Sequence, residues 1–301
     1  MPPHRRPFPA APALVLGLAL TAAAPLAAQA PGTDIWVATL EADALAFEGW
    51  RNVTARPGYD NQPGFTPDGD AILYTSHRDE QTDIYRHDLA SGATDRVTGT
   101  AESEYSATVM PGGDRFSVIR VEADSTQRLW SFALDGSDPE LVLTEIRPVG
   151  YHAWIDEHTL GLFVLGSPAT LQIADTRDGT AEVAASDIGR SLHRVPGRAA
   201  VSFLHRVDGV ALLRIHDPAS GRFEDVAQPV ADAVDYAWTP GGVLLMGSGS
   251  RLFALDPDAD AGWREVADLS AVGVTGITRL AVSPDGTRIA VVGEDAGDGT
   301  R

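Results

Sequence analysis

The side chains best suited to chemistry recur at one place in a repeated unit, the segment just before the first predicted strand of each copy. Counting back from the first turn of each copy gives ten candidate ligand-binding residues: Asp60, Asn61, Glu104, Tyr105, Tyr151, His152, Arg190, Asp235, Tyr236 and Arg279. This mixture of acids, bases and aromatics suits the recognition of a polar ligand, and it also suits an ordinary solvated rim. Three acids from different copies, Asp60, Glu104 and Asp235, could alternatively hold a divalent cation.

Outside this position, the sequence has no motif for catalysis or metal binding. The eight histidines include no His-Glu-x-x-His pair, and most lie in separate units without ligand spacing. Gly247-Ser248-Gly249-Ser250 misses the Gly-x-Ser-x-Gly pattern of hydrolases, and residues 256–262 have only half of a calcium-binding loop. The absence of cysteine excludes disulfides, thiolate nucleophiles and thiolate metal ligands. We therefore predict no catalytic residue, no metal site and no cofactor.

Length, composition and charge limit the class of protein. The chain has 301 residues, 44% of them hydrophobic, which is enough for a full core, and 30 glycines with 20 prolines can punctuate many short strands. No long apolar stripe has helical spacing, so we predict an all-β fold. The formal net charge of −19 repels phosphate backbones and anionic lipid surfaces, which makes nucleic acid a poor partner.

Residues 1–30 have the pattern of a secretory signal peptide. A basic start precedes an apolar run from Ala11 to Leu20, and Ala28-Gln29-Ala30 predicts cleavage near residues 28–30. The apolar run is too short to span a membrane. We therefore expect export to the bacterial periplasm or the medium as a monomer, without membrane insertion. The rest is predicted to be one domain over residues 31–295 with a short tail at 296–301.

The clearest copy of the repeated unit runs from Asp60 to Thr98. Its first strand ends at Pro67-Asp68-Gly69, where proline presets φ and glycine takes the left-handed position that closes a hairpin. Three further strand signals follow, over residues 71–76, 83–89 and 94–98. The first turn returns five times at a spacing of roughly 40 to 45 residues, which is typical of propeller blades. The sequence therefore predicts a six-bladed β-propeller with four antiparallel strands in each blade.

The sixth copy has only its first two strands, and the matching outer pair is found at the other end of the chain. Asp34-Ile35-Trp36 matches Asp83-Ile84-Tyr85, and Trp50 to Thr54 matches Thr94 to Thr98. We predict that these N-terminal outer strands complete the blade begun by the C-terminal inner strands. Such a closure removes the exposed edges between the first and last blades.

Two of the turns carry a recognisable repeat. The segment Pro63 to Leu89 has the form P-x-F-T-P-D-G-x-x-I-L-Y-T-S-x-R-D followed by D-I-Y-x-x-D-L, and Val282-Ser283-Pro284-Asp285-Gly286 is a second copy. These motifs resemble the WD40-like propeller repeat of TolB and its relatives. The resemblance implies fold and export only, since binding propellers, the propeller halves of serine peptidases and some lyases share the repeat. TolB itself has an additional α/β domain ahead of its propeller, for which we expect no counterpart.

These observations support one leading hypothesis and two others. The leading one is a non-catalytic exported propeller that binds a protein, peptide or cell-envelope component through its channel mouth or a face, where loops from all blades converge. The rival is a small-substrate enzyme, similar to a lactonase or lyase propeller, that uses a divalent cation in the channel. The third is a sensor or structural module with no ligand of its own.

Overall fold

The fold is a ring of six antiparallel sheets. The computed structural model describes residues 32–259 and 261–294, and within these ranges the chain forms 24 strands and one 3₁₀ helix at Ser270–Val272. Every sheet has four strands, and none of the described residues belongs to a helix long and apolar enough to cross a membrane. The predicted all-β class and six-bladed propeller are confirmed. The predicted signal peptide, residues 1–30, and tail, residues 296–301, lie outside the described residues.

We number the blades around the ring and give the strands of each from innermost to outermost. Blade 1 contains β23 (Thr275–Val282), β24 (Arg288–Glu294), β1 (Thr33–Glu41) and β2 (Ala46–Asn52). Blade 2 contains β3 (Asp60–Phe65), β4 (Ala71–Arg78), β5 (Gln81–Asp88) and β6 (Thr94–Arg96). Blade 3 contains β7 (Ser103–Val109), β8 (Arg115–Val121), β9 (Gln127–Ala133) and β10 (Glu140–Leu141).

The other three blades continue in the same order along the chain. Blade 4 contains β11 (Val149–Trp154), β12 (Thr159–Val164), β13 (Thr170–Asp175) and β14 (Thr180–Ser186). Blade 5 contains β15 (Ile188–Arg194), β16 (Val201–Val207), β17 (Val210–Asp217) and β18 (Arg222–Ala227). Blade 6 contains β19 (Tyr236–Trp238), β20 (Leu244–Ser248), β21 (Arg251–Leu255) and β22 (Arg264–Asp268).

Blade 1 closes the ring as the sequence predicts. In this blade β1 lies between β24 and β2, and seven consecutive residues of β1, Thr33 to Thr39, pair antiparallel with β24. Trp36 packs in a core cluster with side chains of blade 6, whereas Ile35 and Val37 pack with side chains of blade 2. The two faces of β1 therefore bind blade 1 to both of its neighbours, because successive side chains of a strand point to opposite faces.

The first turns of blades 1 and 2 are held by a pairing of hydroxyl and carboxylate groups. In blade 2, Thr66 Oγ1 donates to Asp68 Oδ1 at 2.6 Å, and that oxygen also accepts the amide two residues on at 3.0 Å. In blade 1, the Ser283 hydroxyl and the Thr287 amide donate to Asp285 at 2.5 and 3.0 Å. These hydrogen bonds lower the pKa of Asp285 to about 2. The turn carboxylates are thus used by the turns themselves, as expected of aspartate at such positions.

Candidate functional site

The innermost strands present side chains to the central channel at two levels. In each blade one residue of the innermost strand lies three positions before the first turn and pairs with the second strand. These residues are Gly64, Thr108, Ala153, His193, Ala237 and Ala281. We call this set the small ring. The residues two positions earlier form the polar ring: Gln62, Ser106, Tyr151, Ser191, Asp235 and Arg279. All twelve line the cavities of the channel, in agreement with the period of two along a strand.

Arg279 crosses the channel at the level of the polar ring. Its guanidinium carbon lies 4.9 Å from the centroid of the Tyr151 ring, although Arg279 belongs to blade 1 and Tyr151 to the opposite blade 4. Its Nη1 atom also lies 3.6 Å from Asp235 Oδ1 in blade 6. A cation over an aromatic face is attracted by the ring. The side chain narrows the channel and leaves a cavity of about 110 Å³ at this level, which we call the upper cavity.

Asp235 is fixed by neighbours from two strands, β15 of blade 5 and β23 of blade 1. Ser191 Oγ donates to Asp235 Oδ1 at 2.5 Å, and the Leu280 backbone amide donates to Oδ2 at 3.0 Å. Burial alone would raise the pKa of this carboxyl, but its contacts with His193, Arg279 and Ser191 outweigh burial and hold the pKa below its usual range. Asp235 is therefore a carboxylate at neutral pH and orients Arg279.

The larger cavity, about 800 Å³, lies at the end of the channel where the innermost strands run into the first turns. We call it the basin. Its walls carry the prolines of five first turns and the side chains of Phe65, Met110, Trp154 and Trp238. Among the described residues that line it, Arg194 is the one arginine and there is no carboxylate. The basin is thus an acid-free, largely apolar surface on a chain that has 42 acidic residues.

Two tryptophans of the basin wall are fixed by equivalent hydrogen bonds to the preceding blade. Trp154 Nε1 donates to Ser117 Oγ of blade 3 at 2.9 Å, and Trp238 Nε1 donates to Ser202 Oγ of blade 5 at 2.8 Å. Each serine lies on a second strand, and each tryptophan ends an innermost strand. The indole rings therefore present carbon atoms to the basin, because their only polar atom is already bound.

His152 and Tyr236, both predicted as ligand-binding residues, contact the same two serines. His152 Nε2 lies 2.6 Å from Ser117 Oγ, and the Tyr236 hydroxyl donates to Ser202 Oγ at 2.9 Å. Burial lowers the pKa of His152 to about 3, so this ring is neutral at neutral pH. The ring of His152 lines both cavities, whereas Tyr236 is fully buried and lines neither.

Replacement of Ser202 by alanine is expected to lower the free energy of unfolding by about 2 kcal/mol. The change leaves the Trp238 N–H and the Tyr236 O–H without their acceptor in a buried place, and an unsatisfied buried polar group costs about 1–3 kcal/mol. Urea denaturation followed by circular dichroism measures the loss. Ser186→Ala, on an exposed outer strand, is the control and should change stability by about 0.5 kcal/mol or less. Equal losses in the two variants would contradict the role given to Ser202.

Asp60 and Glu104 lie between blades and do not line the channel. Asp60 Oδ1 accepts from Ser76 Oγ at 2.5 Å and from Arg56 Nη1 at 3.2 Å, and Glu104 Oε1 lies 3.6 Å from Arg120 Nε. Both carboxyls are 0% exposed. Only the third acid of the predicted cation group therefore reaches the channel. Within residues 32–259 and 261–294, no group of three or more His, Asp or Glu side chains could hold a metal ion.

The remaining candidates are divided between the mouth of the upper cavity and the surrounding packing. Arg190 lines the upper cavity, whereas Asn61 and Tyr105 do not. Asn61 is 7% exposed, and its side-chain amide donates to Thr33 Oγ1 of blade 1 at 3.2 Å. Tyr105 is half-buried and packs against the core cluster that blade 3 shares with blade 4. Five of the ten predicted residues thus line the upper cavity: Tyr151, His152, Arg190, Asp235 and Arg279.

Tyr59 lies near residues of the upper cavity but was not among the predicted residues. Burial raises the pKa of Tyr59 to about 12, and Tyr151, Arg279, Tyr105 and Arg190 are near enough to influence it. Tyr59 directly precedes the first strand of blade 2, one position before the predicted candidates begin. The upper cavity thus brings Tyr151 together with two arginines, and Tyr59 lies close by.

Gln62, Ser106 and Ser191 complete the polar ring and were also missed. A fixed spacing identifies all six members, because each lies five residues before the first residue of its turn. The turn residues that define this spacing are Pro67, Pro111, Asp156, Pro196, Pro240 and Pro284. The ten predicted residues lie at distances from the first turn that differ between blades, so they include only three members of the polar ring.

Comparisons with known proteins agree with this architecture. No protein-family model matches the chain, and no curated protein matches it. Among solved structures, the putative TolB of Agrobacterium tumefaciens is 17% identical, with a TM-score of 0.70 over 88% of this chain and 99% of that one. TolB of Acinetobacter baumannii is 16% identical, with a TM-score of 0.57 over 87% of this chain and 65% of that one. An oligogalacturonate lyase in complex with manganese is 13% identical, with a TM-score of 0.55 over 82% and 80%.

At these identities the likeness shows the fold alone. The similar structures include both TolB and a lyase, and one fold commonly hosts unrelated functions. The turn motifs resemble the TolB-like repeat, and the ring has the fold of the TolB propellers, so the two observations agree on the fold. The chain is a six-bladed β-propeller that shares the fold of the TolB-like propellers.

Proposed function

We propose that the protein is a non-catalytic binding protein that takes an extended apolar segment of a protein partner into the basin. The observation that carries the proposal is a concave surface of about 800 Å³ without a carboxylate among its described lining residues, on a chain of net charge −19. Its volume lies within the range of roughly 300–1,000 Å³ that ligand pockets occupy. An apolar segment would bury surface there without facing the acidic charge of the rest of the protein.

The walls of the basin support binding because they are already ordered. Proline fixes φ in five of the first turns at the rim, and serine hydroxyls hold the indoles of Trp154 and Trp238. A surface that is ordered before binding loses little conformational freedom when a ligand arrives. Most of the free energy gained by burying the apolar segment would therefore contribute to the binding affinity.

Export is part of the proposal. It rests on the signal-peptide pattern of residues 1–30 and on the likeness of the ring to the TolB propellers. The partner would accordingly be a protein or peptide of the cell envelope or of the medium. The enzyme alternative depended on three acids meeting in the channel. Of these, Asp235 lines the channel, and its oxygens are bound by Ser191 and Leu280.

Peptide selection with a blocked basin as counter-target tests the proposal. A library of random twelve-residue peptides is selected on the wild type, and the affinities of enriched peptides are measured by fluorescence anisotropy. Ala281 belongs to the small ring and lines the basin, so Ala281→Trp fills part of the space that a ligand would use. We expect enriched apolar peptides whose affinity falls at least about tenfold in this variant, or about 1.4 kcal/mol.

The matched control places the same aromatic residue on an outer strand. Val183, in β14 of blade 4, is 63% exposed, so Val183→Trp adds a tryptophan without touching the channel. Its peptide affinities should equal those of the wild type. Peptides that bind the Ala281→Trp and Val183→Trp variants equally well, or a selection that enriches none, would contradict the proposal.

A further inference from the structure

Arg279 is a largely buried cation whose guanidinium donates no hydrogen bond to any residue that the structure describes. The residue is 8% exposed, and the nearest carboxylate oxygen, on Asp235, lies at 3.6 Å, beyond the length of a good hydrogen bond. A guanidinium carries five N–H groups, and polar groups in such places are normally paired. Arg279 lines the upper cavity, so an acceptor for these donors, water or a ligand, can reach them from there.

Arg190 brings a second guanidinium to the same cavity. It is half-buried, lines the upper cavity from blade 5, and forms no ion pair or hydrogen bond with any residue that the structure describes. On a chain with 42 acidic residues, a half-buried arginine without a carboxylate partner departs from the usual pairing of buried charge. The two guanidinium groups thus approach one small space from different blades.

The charges around this space match a monoanion. Arg190 and Arg279 contribute two positive charges, and Asp235 contributes one negative charge, which leaves one positive charge uncompensated. The other buried acids among the described residues, Asp34, Asp60, Asp83 and Glu104, do not line the cavity. A guanidinium offers parallel N–H donors that fit the two oxygens of a carboxylate. A phosphate dianion would leave one negative charge without a partner in a partly dehydrated place.

We propose that the upper cavity is a carboxylate-binding site in which the guanidinium groups of Arg279 and Arg190 hold the two oxygens of the ligand. The cavity, about 110 Å³, has room for a carboxylate and several waters but not for a bulky group. The ring of Tyr151 lines the cavity and Tyr59 lies near it, so these two side chains would contact whatever carries the carboxylate. This site does not depend on the basin, which opens at the other end of the channel.

Saturation-transfer NMR with acetate as the probe tests the site at constant ionic strength. We expect a saturable signal on the acetate methyl group with a Kd of about millimolar, the range open to a ligand of four non-hydrogen atoms. Arg279→Gln and, separately, Arg190→Gln should each weaken binding at least about tenfold. Inorganic phosphate at equal ionic strength and pH 8, where it is mostly a dianion, should not displace the acetate. N-acetylalanine and the α-amide of N-acetylglutamate then tell whether a chain-terminal or a side-chain carboxylate is preferred.

Arg198→Gln is the matched control, since it removes the same charge from an exposed first turn whose partner is Glu224. Binding should be unchanged in this variant. Arg190 has no partner among the residues that the structure describes, so Arg190→Gln should remain folded and still tests the site if Arg279→Gln does not fold. Equal acetate binding by wild type and Arg190→Gln, an equal loss in Arg198→Gln, or displacement by phosphate would each overturn the carboxylate site. None of these results bears on peptide binding in the basin.

Discussion

Deletion of residues 34–54 is expected to abolish cooperative unfolding of the whole propeller. The deletion removes β1 and β2, and with them the buried side chains of Ile35, Trp36, Val37 and Leu40, each at most 5% exposed. Burial of such side chains contributes about 1.5–3 kcal/mol each, and a whole domain is stable by about 5–15 kcal/mol. Urea denaturation followed by circular dichroism and by tryptophan fluorescence should show no shared transition in the deletion variant.

A circular permutant separates the loss of chain connectivity from the loss of the strands. Thr33 pairs with Glu294, so residues 294 and 32 can be joined by a short hairpin loop of about two to five residues. New ends can be placed between Ala55, which is exposed, and Arg56. The permutant keeps every strand of blade 1 and should unfold cooperatively like the wild type. A cooperative deletion variant, or a permutant as unfolded as the deletion, would show that closure by β1 is not what holds the ring.

The carboxyl of Glu104 is expected to make the propeller less stable as the pH rises. The side chain lies between blades 2 and 3, and Asp83 of blade 2 places a like charge nearby. Its Oε2 atom has no hydrogen-bond partner within the described part of the chain. Burial raises its pKa from an ordinary value of 4.5 to about 7, against hydrogen bonding by Thr100 and the attraction of Arg120. The folded protein thus keeps a proton, between pH 4.5 and 7, that the unfolded chain releases.

The sign of the effect follows from this difference in proton binding. Stability from Glu104 is greatest below pH 4.5, falls as the pH rises towards 7, and is lower by about 3 kcal/mol at pH 8. Glu104→Gln carries no titrating proton, so it should be more stable than the wild type by about 2–3 kcal/mol at pH 8. At pH 5 the two proteins should differ little. Urea denaturation of both at these two pH values measures the change.

Glu102→Gln provides the control for the Glu104 prediction. Glu102 also contacts Arg120, but its side chain is 25% exposed, and the hydrogen bond from Arg120 lowers its pKa. Loss of this carboxylate should not stabilise the protein at pH 8. If Glu104→Gln and the wild type gave parallel curves of stability against pH, the ionisation of Glu104 would not be the cause. Asp60, whose pKa is also raised by burial, is present in both proteins and cancels in the difference.

The closure of the ring could be predicted because its signal is local and repeated. The match of Asp34-Ile35-Trp36 with Asp83-Ile84-Tyr85 is also seen in individual hydrogen bonds of the structure. The Ile35 amide donates to Thr54 Oγ1 at 2.9 Å, and the Ile84 amide donates to Thr98 Oγ1 at the same distance. Equal residue types at equivalent positions of the third and fourth strands thus make equal contacts, which is why a half-unit at each end of the chain was enough to predict the pairing.

The channel residues were harder to predict because the innermost strands are irregular. Gln62 and Ser106 have φ values of 55° and 57°, and the pairing of β3 and β7 with their second strands shifts at these residues. An extra residue in a strand changes which side chain faces the channel. The predicted candidates in these two strands, Asn61 among them, therefore fall on the packed side. The distance from the first turn is the same in all six blades, so it identifies Gln62 and Ser106 although both lie within the irregular segments.

The basin was not predicted, because its distinguishing property is that no carboxylate is found among its described lining residues. Its lining comes from the ends of innermost strands and from turns, and the presence of Asp68 and Asp285 in these turns would suggest an acidic rim. In the structure these two aspartates bind the hydroxyls and amides of their own turns and do not line the cavity. Only the folded arrangement shows that the prolines face the basin while the neighbouring acids face away.

The split blade also fixes the order in which the molecule can be completed. Val37 pairs with Ala290, about 250 residues later, so β1 has no inner partner until β24 has been synthesised. Contacts between such distant residues form slowly, because the loop between them must first be closed. Until then β1, with its run of buried apolar residues, offers an unpaired edge to any other chain. During synthesis β1 is therefore an edge through which the chain can aggregate, and pairing with β24 protects it.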